Sequence, residues 1–430
     1  MATQDAKLIN PASHGRVQAV LAKRFSQPSF WALLDQGVVS GGAFLTHITI
    51  ARLADPDIYG RFALYLGAIL FVNSLHSTLI AYPLSIGIAT EESKPRQRAI
   101  VTCALFFTLV VCGALAVLII PWLSLFAGVQ VSVLSICVLF AWQAQETCRR
   151  ALMATLSFSA AIGGDLVSYP GQAVLIYALT RHQHRISLQT IFACIIYTSL
   201  TATVIQLIQI RPPMLIRHSF TTARDFWHLG RWGVAGAVLS MTSIPFMAVL
   251  SFRFGPSSAA ALQSLVNIVG LTHPVMFGVA NAIVPTVARA NSKTGVRAAS
   301  IAGMKMGLHG VFLVVPYLLG VLCLPTYALT VFYGRHSGYL SLGGSLRLMC
   351  CSYLFLYAGL LLSTVLSALE RPRLSFNGQC ASSMMSITVG LPLAATLGVA
   401  GAAAGNLFGN ATRAISQVIS LQNVIRESEL

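Results

Sequence analysis

Four polar residues, Asn406, Asn410, Arg413 and Gln417, recur at spacings of four, three and four inside the otherwise apolar stretch 399–422. That spacing puts them on one face of a helix over three turns. A guanidinium presents a planar fork of donors that takes phosphate oxygens two at a time. The face therefore reads as a wall contacting a phosphate-bearing ligand. The competing reading is a helix–helix seam held by Asn and Gln amides.

Lys305 and His309, one turn apart in the stretch 299–323, form a second cationic candidate for the same wall. Against that, a Lys stem can carry its ammonium to the water interface, and Arg347, which begins the stretch 343–368, is read that way. Asp35 and Asp165 each lie inside an apolar run, Asp165 sharing a face with Tyr169 and Gln172 beside Pro170 and Gly171. A carboxylate in such a place binds a coupling proton or cation, or is fixed in a salt bridge; Arg149, Arg150 and Arg413 are the available partners. His76 and His273 stand alone on mostly apolar segments and read as satisfied interior imidazoles. No zinc spacing, P-loop or nucleophile elbow occurs, and the nine Cys read as small buried hydrophobes. The expectation is no cofactor, no metal and no catalytic residue.

Membrane helices must position these groups. Of the 430 residues 56% are hydrophobic and only 9% charged, against about 25% charged in soluble domains. A segment crossing a bilayer needs about 20 predominantly apolar residues, because its backbone polar groups find no partners in lipid. Twelve such runs lie near 29–51, 62–88, 99–120, 129–146, 156–180, 188–210, 232–252, 259–288, 299–323, 343–368, 374–396 and 399–422. Residues 1–28 lack the apolar core of a signal peptide, and VQAVLAKRF within them reads as a short basic surface helix.

The net charge of +16 would suit nucleic acid or acidic lipid, but its distribution fits topology and excludes nucleic acid as a partner. With the N-terminus in the cytoplasm, 19 of the 28 Lys and Arg fall on that side, six on the other and three within spans. This is the positive-inside pattern, and it predicts both termini and the linker 211–231 to be cytoplasmic.

ARLADPDIYGRFAL at 51–64 is then the outer connection between the first two spans. Asp55-Pro56 stops one helix, Asp57 caps the next, and Gly60 permits close packing at its first turn. SFRFGPSSAAALQSL at 251–265 echoes it, with Pro256 following Pro56 by 200 residues. Pro83 and Pro285 differ by 202 and Pro121 and Pro325 by 204. Matches in one order imply two six-helix halves of the same orientation, a parallel repeat with the substrate path between them. The expected architecture is an all-α polytopic membrane protein of about twelve transmembrane helices: an N-terminal segment 1–28, a half at 29–210, the linker 211–231, a half at 232–422 and a tail at 423–430.

LLDQGVVSGGAFLTHITIARLADPDIYGRFALYLGAI resembles the opening of bacterial polysaccharide and O-antigen flippases of the multidrug/oligosaccharidyl-lipid/polysaccharide (MOP) superfamily. QAQETCRRALMA at 143–154, GDLVSYPGQ at 164–172, FGPSSAAALQSLVNIVGLTHP at 254–274 and GVAGAAAGNLFGNATRA at 398–414 extend the resemblance over most of the chain. It implies a flippase that moves undecaprenyl-diphosphate-linked oligosaccharide across the bacterial inner membrane by alternating access, for exopolysaccharide or O-antigen biosynthesis. Membrane lipids and other polysaccharide-assembly proteins would be its partners. Three rivals stand beside it. A membrane polymerase or glycosyltransferase would carry catalytic carboxylates on a sizeable outer loop, and the outer segment 324–342 has none. An antiporter for a small molecule or cation would favour a carboxylate-rich cavity. A non-transporting member of an assembly complex gives no reason for the polar face of the last span.

Overall fold

A computed structural model describes residues 28–181, 186–213, 219–240 and 243–428. The N-terminal surface helix expected at VQAVLAKRF lies outside them. The described residues are almost wholly helical and include no strand. Helix α1 spans Pro28–Leu53, and α2, Pro56–His76, runs through a π-helical turn, Ser77–Ala81, into α3, Tyr82–Thr90. Then come α4 (Lys94–Ala127), α5 (Val129–Ala154), α6 (Phe158–Thr180) and α7 (Leu188–Ile210). The second half holds α8 (Ser219–Ser240), α9 (Ser243–Phe254), α10 (Pro256–Gly270), α11 (His273–Cys323) and α12 (Pro325–Tyr333). It closes with α13 (Gly343–Ala368), α14 (Pro372–Met385), a π turn at Ser386–Gly390 and α15 (Leu391–Glu427).

Each of the twelve apolar runs is helical over most of its described residues. Among the described residues eight helices are long and apolar enough to cross a membrane, or nine if α10 and Pro274-containing His273–Asn291, bent by 52°, count as one span. Neither α1 nor α6, which carry Asp35 and Asp165, is among the eight. Glycine marks two boundaries between runs: α11 breaks at Gly295 (φ 80°) and α15 at Gly398 (φ 62°), backbone conformations that cost a residue with a Cβ energy. Helix α8 begins at Ser219, inside the segment read as linker.

The pairings within the halves repeat. The fourth run packs on the third and sixth (α5 on α4 and α7), and its counterpart α13 packs on α11 and α15; likewise α6 lies on α7 as α14 lies on α15. The halves meet through α2 and α10. Both begin with Pro at the first helical position, where the missing N–H costs nothing. The residue capping α2 is Asp55, with Asp57 in the first turn, so the expected cap is off by two. A Cβ on Gly60 would overlap the carbonyl of Pro256; the glycine lets the two echoed segments touch.

Candidate functional site

A cavity of about 1530 Å³ lies between the halves. Leu66, Asn73 and Arg150 from the first half and Gln263, His273, Phe277, Arg373 and Arg413 from the second are on its wall. At the Asp55 end it is shut. There Gly60 abuts Pro256, Asn267 Nδ2 of α10 donates to the Tyr59 hydroxyl of α2 at 2.7 Å, and Arg52 of α1 donates to the carbonyls of Phe332 and Val331 at 2.6 and 2.7 Å. From that seal the cavity extends to the level of Arg150, near the end of α5, and Arg373, in the first turn of α14.

The charged residues on its wall are three arginines, Arg150, Arg373 and Arg413, and no carboxylate lines it among the described residues. Arg150 keeps an internal partner: its Nε donates to Glu146 Oε1 at 2.6 Å. Arg413 has no carboxylate within 4 Å among the described residues, and its buried Nε has no hydrogen-bond partner. Its stem lies over Gly359, where a Cβ would stand 3.4 Å from both Cγ and Cδ. An unpaired guanidinium facing a void is a site that gains much by meeting an anion.

The polar face of the last run is narrower as a cavity wall than its spacing predicts. Arg413 alone of the four reaches the cavity. Asn406 donates to the Ala402 carbonyl of its own helix at 3.0 Å and Asn410 to the Ser352 hydroxyl of α13 at 2.9 Å. Gln417 is buried against Gly378 and donates to the Ser375 carbonyl at 3.5 Å. The correction for Asn406, Asn410 and Gln417 is physical: α15 is clasped between α13 and α14, so only a slim strip of its face meets the void. The seam reading describes these three.

Lys305 and His309 are a second correction. Both are exposed on α11, away from the cavity, with His309 Nδ1 3.2 Å from the Met306 carbonyl. The face of α11 that turns inward carries Gly303, Gly307 and Gly310, which meet Val365, Leu361 and Tyr357 of α13. Two residues on from Gly303, Lys305 points to the opposite side of the helix.

Asp35 and Asp165 come together, but away from the cavity. Arg149 Nη2 donates to Asp35 Oδ2 at 2.5 Å, Nε to Asp165 Oδ2 at 2.8 Å and Nη1 to Glu146 Oε2 at 3.2 Å. Gln145 and Gln206 amides reach the other Asp165 oxygen at 3.2 and 3.4 Å, and Asp35 Oδ1 is buried with no partner. Glu146 also accepts from Arg150, so three carboxylates face two guanidiniums. The apolar run 129–146 stops short of Arg149 and Arg150. Helix α5 instead continues to Ala154 and buries Arg149. The run QAQETCRR, dense in polar residues at a span's end, was the available signal.

His76 is an interior imidazole, its Nε2 3.0 and 3.1 Å from the Thr108 and Thr147 hydroxyls. His273 departs from that reading: it lines the cavity and stacks on Tyr353, ring centroids 5.4 Å apart. No group of three or more metal-ligating side chains occurs among the described residues.

Compared with solved structures, the chain matches an inward-facing multidrug-resistance MATE-family transporter of the MOP superfamily at a TM-score of 0.78 and 14% identity, over 92% of this chain and 95% of that one. The two chains share a fold. The lipid II flippase MurJ in an inward closed conformation matches at 0.71 and 12% identity, over 92% and 87%. A MOP-superfamily transporter from Pyrococcus furiosus, described by a binding pocket of reversed polarity, matches at 0.66 and 13% identity, over 94% and 95%. No family model and no curated protein matches the sequence. The fold shared with these proteins and the eight or nine helices among the described residues long and apolar enough to cross a membrane make this a multi-pass membrane protein.

Proposed function

We propose that the chain is a flippase that carries undecaprenyl-diphosphate-linked oligosaccharide across the bacterial inner membrane, for exopolysaccharide or O-antigen assembly. The observation that carries the reading is the charge of the cavity: three arginines, no carboxylate on the wall among the described residues, and an unpartnered Nε on Arg413. A diphosphate supplies the missing negative charge and the oxygen pairs that guanidinium forks bind. The fold shared with a lipid II flippase makes a lipid-linked substrate a natural class. No step of this activity requires bond chemistry from the protein, so it is not an enzyme.

Alternating access follows from a cavity sealed at one end between two halves. With both termini and the segment 211–231 cytoplasmic, the sealed Asp55 end is periplasmic and the arginine end faces the cytoplasm, where the substrate is made. Labelling of a cysteine in 211–231 by an impermeant reagent added outside intact cells would overturn this orientation. Asp35 and Asp165 are the candidate coupling groups, since their cluster holds one carboxylate more than it holds guanidiniums. Their Asn variants should bind substrate yet lose gradient-driven transport; full activity in both would exclude coupling through them.

Deletion in the native host tests the main reading. Surface polysaccharide should be lost while lipid-linked oligosaccharide accumulates on the inner leaflet. Unchanged polysaccharide without accumulation would refute it. The likeness to a multidrug transporter favours a second reading, an antiporter for small molecules or cations, which predicts drug sensitivity in the same strain. A cationic cargo would meet three arginines, which is why this reading ranks second. A non-transporting member of an assembly complex would lose polysaccharide without inner-leaflet accumulation of the lipid-linked chain.

A further inference from the structure

Gln263 lines the cavity on α10 and is joined by hydrogen bonds to the seal at the Asp55 end. Its Nε2 donates to Asn267 Oδ1 at 2.8 Å, and Asn267 Nδ2 donates to the Tyr59 hydroxyl at 2.7 Å. The Tyr59 hydroxyl in turn lies 3.4 Å from His47 Nδ1 on α1, and the Tyr333 hydroxyl, 3.5 Å from Asn267 Nδ2, donates to the Ser264 carbonyl at 2.8 Å. The bond between Asn267 and Tyr59 crosses from one half to the other.

The amide of Asn267 meets Tyr59 through its NH₂, and the donor on Gln263 holds it in that orientation by occupying the oxygen. Depth along the helices says what would reach Gln263. It is seven residues into α10 from Pro256, about 10 Å from the sealed end. Arg413 is fifteen residues beyond Gly398, which neighbours Phe254 at that end, hence about 22 Å along. A head group with its phosphates at Arg413 extends its sugar toward Gln263, and sugar hydroxyls accept hydrogen bonds from an amide NH₂.

We propose that Gln263 is a sugar-contacting residue that couples occupancy of the cavity to release of the seal. This rests on the flippase reading above. Drawn to a sugar hydroxyl, the Gln263 amide swings off the Asn267 oxygen, Asn267 loses what orients it, and the inter-half bond to Tyr59 weakens. The bare carrier diphosphate, which ends at the arginines, leaves the seal in place.

The test uses the full chain in lipid nanodiscs with Ser264→Cys, a buried position on the α10 face that follows Pro256 and Ala260, its alkylation read from the modified peptide. Two probes are compared, undecaprenyl diphosphate and the same carrier bearing one N-acetylhexosamine, with binding of each measured in parallel. Both probes should bind, and only the sugar-bearing one should speed labelling, by about five-fold for one hydrogen bond lost. Gln263→Leu should label about five-fold faster without any probe, bind the bare carrier as before and no longer respond to the sugar. Gln263→Glu, similar in size but unable to donate to Asn267 when ionised, should behave likewise; Gln263→Asn, which keeps a donor, should recover part of the response. If neither probe binds the parent protein, the flippase reading fails. If both bind but labelling ignores the sugar, or Gln263→Leu responds as its parent does, the inference fails and the flippase reading stands.

Discussion

Replacing Arg413 with Ala separates a ligand-binding arginine from a structural one, and the surroundings of the side chain give the expected size of each effect. The stem packs over Gly359, so truncation loses the burial of two methylenes, Cγ and Cδ, at about 0.8 kcal/mol each. Against this, truncation removes a buried Nε without a partner, which relieves about 1–3 kcal/mol of desolvation. The two nearly cancel, and no carboxylate within ion-pair reach is left behind among the described residues. Arg413→Ala should therefore accumulate in the membrane at close to normal abundance. Binding should suffer far more. Hydrogen bonds to a charged group contribute about 1.5–3 kcal/mol, so affinity for undecaprenyl diphosphate should fall about ten- to hundred-fold. Arg413→Lys should recover only part of it, since an ammonium keeps the charge and loses the fork. The assay is carrier binding to purified protein in nanodiscs, beside abundance in membranes and polysaccharide output in the host. A stable Arg413→Ala protein with unchanged affinity and normal polysaccharide would refute the reasoning. Reduced abundance, restored by removing a carboxylate elsewhere, would instead show a structural bridge.

Arg149→Leu should leave Asp35, Asp165 and Glu146 buried with a single half-exposed partner in Arg150. Stranding buried charge costs about 3–5 kcal/mol, so the variant should fail to accumulate, and adding Asp35→Asn with Asp165→Asn should restore part of its abundance on a membrane immunoblot. Lys305→Ala and His309→Ala, on the outward face of α11, should leave carrier affinity within two-fold of the parent, about the size expected of surface changes; a ten-fold loss would put them at the site after all. Gly60→Ala should force α2 off Pro256 and loosen the sealed end, seen as faster alkylation of Ser264→Cys; unchanged labelling would mean the helices part without cost.

The sequence by itself determined what is local. Twelve apolar runs declare themselves because a lipid-crossing segment must satisfy its backbone internally, and each is helical over most of its described residues. The helix break at Asp55-Pro56, its echo at Pro256 and the close packing at Gly60 were legible for the same reason, as demands of backbone geometry made by single residues, although Pro56 opens α2 rather than only ending α1. Arg413 was legible too, as the one charged residue in the apolar stretch 399–422.

What only the tertiary structure decided is rotation and partnership. Spacing puts Lys305 and His309 on one face but cannot say which way that face turns; three glycines packed on α13 turned it outward. Asn410 and Gln417 share a face with Arg413, yet the neighbours of α15 claim them for its seams. Asp35 and Asp165 are 130 residues apart and meet only because α1 packs along α6, where Arg149 binds both. Hydropathy is summed along the chain, whereas the orientation of a helix about its axis is set by close packing against residues hundreds of positions away, so the cavity and its arginines emerge only when the two halves are assembled.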